Sequence, residues 1–228
     1  RLNRFEEALV DFVRFQNAPA AKSLPEYEQL DYNLGYSYFK LKDYNNAISY
    51  FQNVVSSNAI DDQRKNDGYL RLGDSYFVNS KYQLAKKAYD TASSMNGPER
   101  DYAAFQKTLC DGFLGNNSAK IDGLNEFLRM FPISSLRDDA LFELGNSYIN
   151  NNQESLGLQT YDRVVAEYSG SKFAPRGLLR SGLVYYNSSR NEQALSKLKE
   201  VVQKYPNTQE AKQAVATAKL VYVDEGRV

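Results

Sequence analysis

Two pairs of adjacent carboxylates and one thiol are the residues of this sequence whose types could serve in catalysis. The pairs are Asp61–Asp62 and Asp138–Asp139, and the thiol is Cys110. Neighbouring residues on a helix point to different faces, so neither pair brings two carboxylates to one substrate atom. Both pairs are predicted near helix starts, where they would complement the helix dipole. Cys110 lies in the stretch LCDGF, and this apolar setting predicts a buried, unreactive thiol.

The rest of the composition argues against several other chemistries. The 228-residue chain has no histidine and one cysteine, so it has no Ser-His or Cys-His pair, no histidine metal site and no internal disulfide. No phosphate-binding loop of the GxxxxGK type occurs. We therefore predict no enzyme activity, no cofactor and no metal. A non-catalytic, regulatory part of a larger enzyme is the alternative.

The charge balance bears on the class of partner. The chain has 28 lysines and arginines and 28 aspartates and glutamates, so no basic excess predicts binding to nucleic acid. No run of about 18 apolar residues occurs, which predicts that no segment inserts into a membrane. The chain is 42% hydrophobic and contains 18 tyrosines and 12 phenylalanines, which is enough for a folded core.

A spaced motif recurs along the chain and predicts the elements that carry these residues. Its copies are LGYSYF (34–39), LGDSYF (72–77), LGNSYI (144–149) and the looser SGLVYY (181–186). A tyrosine follows each glycine by three residues, a small residue by twelve and a large one by sixteen. The small residues are Ala47, Ala85, Gly157 and Ala194, and the large ones are Phe51, Tyr89, Tyr161 and Leu198. Spacings of three and four residues predict two antiparallel helices whose backbones approach at the small residues.

The motif resembles that of the tetratricopeptide repeat (TPR) family. The residues that carry the resemblance are Leu72, Gly73, Tyr76, Ala85, Tyr89 and Ala92, and Tyr205-Pro206 closes another unit in the same manner. The resemblance implies an all-α fold, a right-handed superhelical solenoid of antiparallel helix hairpins. It covers nearly the whole chain.

We divide residues 1–228 as a single TPR-like array. Its predicted parts are a half repeat at 1–16, hairpins at 26–58, 64–96, 99–131, 136–168 and 174–205, and a terminal or half-repeat helix at 208–222. Half repeats at both ends predict a window cut from a longer array, with a capping helix at 208–222 as the alternative. The hairpin 99–131 fits worst. Cys110 takes its glycine position, and either Lys120 or Gly123 its small position, with Gly123 beside Phe127 fitting better.

The resemblance also implies which side chains line a groove, because first helices form the inner surface in TPR proteins. Transferring the family's groove positions predicts a partner-binding set of Tyr32, Tyr36, Phe39, Asp74, Phe77, Asp111, Asn146 and Tyr186. The same transfer adds Leu70, Lys107, Leu114, Phe142, Ile149, Leu179 and Leu183. A stripe of rings at helical spacing is also typical of core packing, which is the alternative for each of these positions.

An apolar groove predicts a scaffold that binds a partner peptide or helix. Capture of a carboxyl terminus by a lysine and asparagine clamp is disfavoured, because Phe142 stands where such a clamp needs lysine. Self-assembly through the end repeats is the alternative. The Tyr-Pro-x-Thr ending resembles bacterial cell-envelope TPR proteins. We therefore expect a bacterial periplasmic or envelope location, with the cytoplasm as the alternative.

Overall fold

The computed structural model describes residues 2–224 and Gly226, with side chains from Arg4 onward. The outermost residues of the predicted array, at 1, 225, 227 and 228, lie outside the described residues. The described chain is all-α, which confirms the predicted fold class. Its helices are α1 Leu2–Gln16, α2 Leu30–Lys40, α3 Tyr44–Ser56, α4 Asp62–Val78, α5 Tyr82–Ser94, α6 Arg100–Phe113, α7 Asn117–Met130, α8 Arg137–Asn150, α9 Glu154–Glu167, α10 Phe173–Asn187, α11 Asn191–Lys204 and α12 Gln209–Asp224.

The first predicted hairpin begins later as an α-helix than the sequence pattern suggests. A 3-10 turn at Pro25–Gln29 precedes α2, and a shorter one lies at Ala21–Ser23. Pro25 occupies the start of the longer turn, where its missing N–H leaves no bond unmade. The α-helix therefore starts at Leu30 rather than at residue 26.

One turn geometry joins the two helices of every hairpin. A residue with positive φ ends each first helix, and the five are Lys42, Ser80, Gly115, Asn152 and Ser189. The residue after it donates its N–H back to the carbonyl five positions earlier, as in Asp43 to Tyr38 (2.9 Å) and Lys81 to Tyr76 (2.8 Å). This is the Schellman motif, which satisfies carbonyls left open at a helix end. The repeated motif gives each hairpin the same register.

This register corrects the prediction for the hairpin 99–131. Asn116 donates its N–H to the Asp111 carbonyl, so Asp111 takes the place held elsewhere by the tyrosine of the motif. Counting from Gly115, the glycine position is then Thr108 rather than Cys110, and the small position is Lys120 rather than Gly123. The predicted register is wrong because this unit has threonine instead of glycine at the motif position and is shorter, with 35 residues from Ser80 to Gly115.

The glycines of the motif provide the close approach that the spacing predicts. A Cβ on Gly73 would lie 2.6 Å from the ring of Tyr89, and one on Gly145 would lie 2.6 Å from the ring of Tyr161. Real side chains do not tolerate such contacts, so only glycine lets these rings lie flat on the facing helix. Both rings are almost completely buried.

The chain divides between Ala119 and Lys120 into two compact units, here called the N-terminal and C-terminal units. Neighbouring helices pack on one another from α1 to α6 in the N-terminal unit and from α8 to α12 in the C-terminal unit. Successive first helices also touch, α2 with α4 in the N-terminal unit and α8 with α10 and α10 with α12 in the C-terminal unit. Within each unit, the first helices therefore form a layer of their own, and the side chains of that layer are the candidates for binding.

Candidate functional site: the first-helix face

The first helices of the N-terminal unit present a band of rings and charges. We call it the N-terminal face and define it by Tyr32, Tyr36, Phe39, Asp67, Arg71, Asp74, Phe77, Tyr102 and Phe113. These residues lie on α2, α4 and α6, at the helical spacing of three and four that places them on one side of each helix. Five of them belong to the predicted partner-binding set.

The rings of α2 stack with one another at one end of the N-terminal face. Tyr36 lies between Phe5 and Tyr32, with ring centroids 6.3 and 6.2 Å away. The Lys40 ammonium sits 4.9 Å from the Tyr36 centroid, a cation–π distance. Tyr32 and Tyr36 are half-buried, so each contributes to packing and still presents an accessible ring surface.

A second group of rings lies at the carboxyl ends of α4 and α6. Phe77 meets Phe113 edge to face at 5.2 Å, and Tyr82 stacks on Phe113 at 4.7 Å. Phe113 is 57% exposed, and Val78, which follows Phe77 in the chain, is also exposed. Apolar surface held open to water by rigid neighbours is typical of a binding surface.

Arg71 is the centre of the charged part of the N-terminal face. Its guanidinium binds Asp67 (3.1 Å), Asp74 (2.8 Å) and Glu99 (2.6 Å), although its side chain is only 18% exposed. Burial lowers the pKa of Arg71, but the three carboxylates more than offset this and hold it above its usual value. The group is therefore fixed as a cation, 5.7 Å from the Phe39 ring.

Tyrosine hydroxyls occupy the remaining oxygens of this cluster. Tyr32 donates to Asp67 at 2.9 Å, and Tyr89 and Tyr102 both donate to Asp74, at 2.8 and 2.7 Å. Burial is the main reason that the pKa of each of these three tyrosines is raised, and the neighbouring carboxylates raise it further. Asp74 is therefore held by three donors within the protein, which sets it apart from a free groove residue.

The C-terminal unit has a corresponding face with a different character. We define the C-terminal face by Asp139, Glu143, Asn146, Arg176, Arg180 and Tyr186. Asn146 accepts a hydrogen bond from Tyr161 at 2.7 Å, and Glu143 pairs with Lys120 at 2.6 Å. Arg176 pairs with Glu210 at 3.2 Å, and Tyr186 donates to Asp224 at 2.6 Å. Charged and amide side chains make up most of the C-terminal face, whereas the N-terminal face combines charged side chains with a larger group of aromatic rings.

Asp111 does not belong to either face. It is 5% exposed and pairs with Lys86 of α5 at 2.5 Å. Its position matches that of Tyr76, whose hydroxyl accepts a hydrogen bond from Gln52 of the preceding second helix. At this position Tyr76 and Asp111 therefore both bind the preceding hairpin, and the expectation that Asp111 lines a groove is wrong because of the register error.

Three other transferred groove positions are buried. Leu70, Phe142 and Leu179 are 2%, 8% and 6% exposed, so they pack between helices. A second set of side chains lies on the first helices but is not among the transferred groove positions: Asp67, Arg71, Asp139, Glu143, Arg176 and Arg180. These charged residues precede the motif glycines by six and two positions in three hairpins. That repeated spacing was the signal available in the sequence.

The described residues provide neither a metal-ion site nor a membrane-spanning helix. Across the described residues, no three of the cysteine, aspartate and glutamate side chains are grouped to hold a metal ion. No described helix combines the length and the hydropathy needed to cross a bilayer. Cys110 is buried, and burial together with Asp111 raises the pKa of its thiol to about 12.

Comparison with known proteins agrees with this architecture. Models of the tetratricopeptide repeat match residues 32–61, 139–171 and 176–208, which correspond to α2–α3, α8–α9 and α10–α11. Three hairpins of the chain are therefore tetratricopeptide repeats, and its described part is an all-α TPR solenoid. Comparison with curated protein sequences gives no match.

Several solved structures share the fold. A TPR protein from Parabacteroides merdae has a TM-score of 0.69 at 14% identity, covering 88% of this chain and 74% of that one. MamA from Desulfovibrio magneticus has a TM-score of 0.65 at 14% identity, covering 80% and 97%. YrrB, described as a TPR protein with an unusual peptide-binding site, has a TM-score of 0.62 at 15% identity, covering 87% and 98%. At these identities the likeness concerns the fold.

Proposed function

We propose that this protein is a non-catalytic scaffold that binds a partner peptide or helix on its first-helix layer. The observation that carries the proposal is the group of half-buried rings on the N-terminal face, centred on Tyr32, Tyr36, Phe39 and Phe77. Tyrosine and phenylalanine supply large contact area at low entropic cost, as residues that dominate binding energy do. The three tetratricopeptide repeats and the fold shared with YrrB support the same function.

The other predicted residues take different parts in this proposal. Tyr186 and Asn146 would contact the partner on the C-terminal face, where each keeps part of its surface open. Asp74 would act mainly by holding the side chains of Arg71, Tyr89 and Tyr102 in place. It could accept a hydrogen bond from a partner only through the lone pairs that these three residues leave unused. Asp111 is left out because it is buried.

Affinity capture from the native source tests this proposal. Immobilised wild-type protein should retain a partner that the Tyr36→Ala/Phe77→Ala variant binds at least about tenfold more weakly. Tyr50→Ala is the matched control, since it truncates a half-buried ring on the second helix α3. Circular dichroism should show that all three proteins are helical. Equal retention by wild type and the double variant would contradict the proposal.

Self-assembly is a second candidate, supported by one observation. Val215, Leu220 and Val223 of α12 are exposed at 44%, 54% and 58%. Apolar side chains grouped on one helix are a surface that a second copy could cover. Sedimentation over a wide concentration range should then show a dimer or larger species that Leu220→Lys/Val223→Lys abolishes. A monomer at every concentration would remove this candidate.

We further propose a bacterial envelope location. The support is the Tyr205-Pro206-Asn207-Thr208 ending, which resembles that of bacterial cell-envelope TPR proteins. Fractionation of the native cells with an antibody to this chain should place it in the periplasmic or membrane fraction. Recovery in the cytoplasmic fraction alone would overturn this location.

A further inference from the structure

The charges around Arg71 do not cancel. Four acidic side chains lie here, Asp61, Asp67, Asp74 and Glu99. Three basic side chains accompany them, Arg64, Arg71 and Lys40, whose ammonium lies 6.0 Å from the Phe39 ring, so the net charge is minus one. This part of the N-terminal face therefore favours a cation.

A cavity opens among these carboxylates. It has a volume of about 470 Å³, and its lining includes Tyr32, Asp61, Arg64, Asp67, Leu70 and Glu99. This volume is within the range of pockets that hold small ligands, so one long side chain fits with water around it. Leu70 and the Tyr32 ring supply apolar walls, and the ring face also attracts a cation.

The carboxylates at the mouth of the cavity retain acceptor capacity. Glu99 binds Arg71 through Oε2, and its side chain is 47% exposed. Asp67 binds Arg71 through Oδ1 and Tyr32 through Oδ2. An ionised carboxylate offers about four lone-pair sites, so each can accept a further hydrogen bond from an incoming ammonium or guanidinium.

The cavity and the aromatic residues are neighbours on one surface. Tyr32 lines the cavity and stacks on Tyr36, and Arg71 joins Asp67 to the ring of Phe39. A bound peptide can therefore place a cationic side chain among the carboxylates while its apolar neighbours cover the rings. Such an arrangement combines electrostatic steering with desolvated contact area.

We propose that the N-terminal face recognises basic peptides: a lysine or arginine side chain enters the cavity between Tyr32, Asp67 and Glu99, and adjacent apolar side chains pack on Phe39 and Phe77. This inference rests on the proposed function and names the chemistry of its partner. An acidic or a purely apolar peptide is the competing occupant.

Selection of random peptides displayed on phage tests the inference directly. Peptides selected on the immobilised protein should be enriched in lysine and arginine by at least about threefold over the starting library, and depleted of aspartate and glutamate. The Asp67→Asn/Glu99→Gln variant should lose this enrichment. The matched control is Asp90→Asn/Asp162→Asn, which removes two exposed carboxylates that also pair with lysines and should keep it.

Titration of one selected peptide provides the second measurement. Replacing its basic residue with glutamine should weaken binding to wild-type protein about tenfold, and high salt should reduce the difference. Binding to Asp67→Asn/Glu99→Gln should not respond to this replacement. If that variant fails to fold, the peptide replacement on wild-type protein decides the question by itself.

The outcomes separate this inference from the proposed function. The selected peptides could bind wild-type protein and not Tyr36→Ala/Phe77→Ala, and yet show no enrichment in lysine and arginine. That result would support the scaffold function and overturn the basic-peptide inference. Enrichment of acidic residues, or an enrichment that survives Asp67→Asn/Glu99→Gln, also overturns the inference. If no peptide is selected above background, both proposals fail.

Discussion

Tyr89 reaches across Gly73 and donates a hydrogen bond to Asp74, with 2.8 Å between the two oxygens. Tyr161 does the same across Gly145 to Asn146, at 2.7 Å. In the other two motif hairpins the large residue is Phe51 or Leu198, and the residue after the glycine is Tyr36 or Leu183. A hydrogen-bond acceptor therefore follows the motif glycine in the two hairpins whose large residue is a tyrosine. The reason is that a buried tyrosine hydroxyl without a hydrogen-bond partner would destabilise the fold.

The Tyr89–Asp74 hydrogen bond should show energetic coupling. Asp74→Ala is expected to lower the free energy of unfolding by about 3 kcal/mol, because two tyrosine hydroxyls and Arg71 lose an acceptor. In a double-mutant cycle with Tyr89→Phe, the coupling should be about 1 kcal/mol. Urea titration followed by circular dichroism measures both. Strict additivity would show that the two residues do not interact energetically.

Glycine-to-alanine substitutions should have opposite effects at two helix positions. Gly73→Ala is expected to destabilise the fold by about 2 kcal/mol, because the new methyl group would overlap the Tyr89 ring. Gly177→Ala is the control in α10, where a Cβ would meet its nearest neighbour at 3.4 Å. It should stabilise by about 0.5–1 kcal/mol through helix propensity. Thermal melts that show the same sign for both variants would refute the packing argument.

Asp139 should make the stability depend on pH. Burial, then Glu143 and Asp138, raises its pKa to about 6, although Lys172 and Arg176 oppose the shift. The folded protein therefore holds this proton between about pH 4 and 6, where the unfolded chain has released it, so stability falls as pH rises through this window. Asp139→Asn should raise the free energy of unfolding by up to about 1 kcal/mol at pH 7, a small value because partly exposed charges are screened. Near pH 4 the substitution should leave the free energy of unfolding unchanged.

A control for the pH prediction comes from the exposed face of α9. Asp162→Asn removes a carboxylate that pairs with Lys197 and leaves Asp139 in place. This variant should keep the wild-type fall in stability, whereas Asp139→Asn should flatten it. Urea titrations at several pH values measure both curves. Parallel curves for wild type and Asp139→Asn would show that another group is responsible.

Cys110 should be inert in the folded protein. Its side chain is completely buried, and a thiol pKa of about 12 leaves little thiolate near neutral pH. Labelling with iodoacetamide at pH 8 should be at least about a hundredfold slower in the native protein than in guanidinium chloride. Equal rates would mean that α6 opens readily or that the thiol is accessible.

Much of the fold could be predicted from local sequence pattern. The motif glycines and the tyrosines three residues later indicate the helices to within a few residues. These signals are local, because helix faces and helix ends depend on residues three to five apart. The late start of α2 after Pro25–Gln29 is the kind of boundary that such patterns leave open.

The residues of the candidate site were harder to predict from the sequence than the helices. Tyr36, Phe39 and Phe77 lie on the predicted layer, but Asp111 is buried against Lys86 because its hairpin is shorter and lacks the glycine. In the charged cluster, Arg71 pairs with Glu99, which lies 28 positions later in the chain. Arg71 also pairs with Asp67 and so links it to Glu99, 32 positions away. No local period connects such residues, so their association depends on how α4 and α6 are placed.

The sequence by itself determined the class of this protein: an all-α chain of hairpins whose tiny and bulky residues alternate at helical spacing. Tertiary structure decided what the polar residues do. Whether Asp74, Asp111 or Asn146 faces a partner depends on which hydroxyl or cation of a neighbouring helix reaches it. A buried donor or acceptor must be satisfied by whatever group the packing brings near, and that group lies far away in the chain.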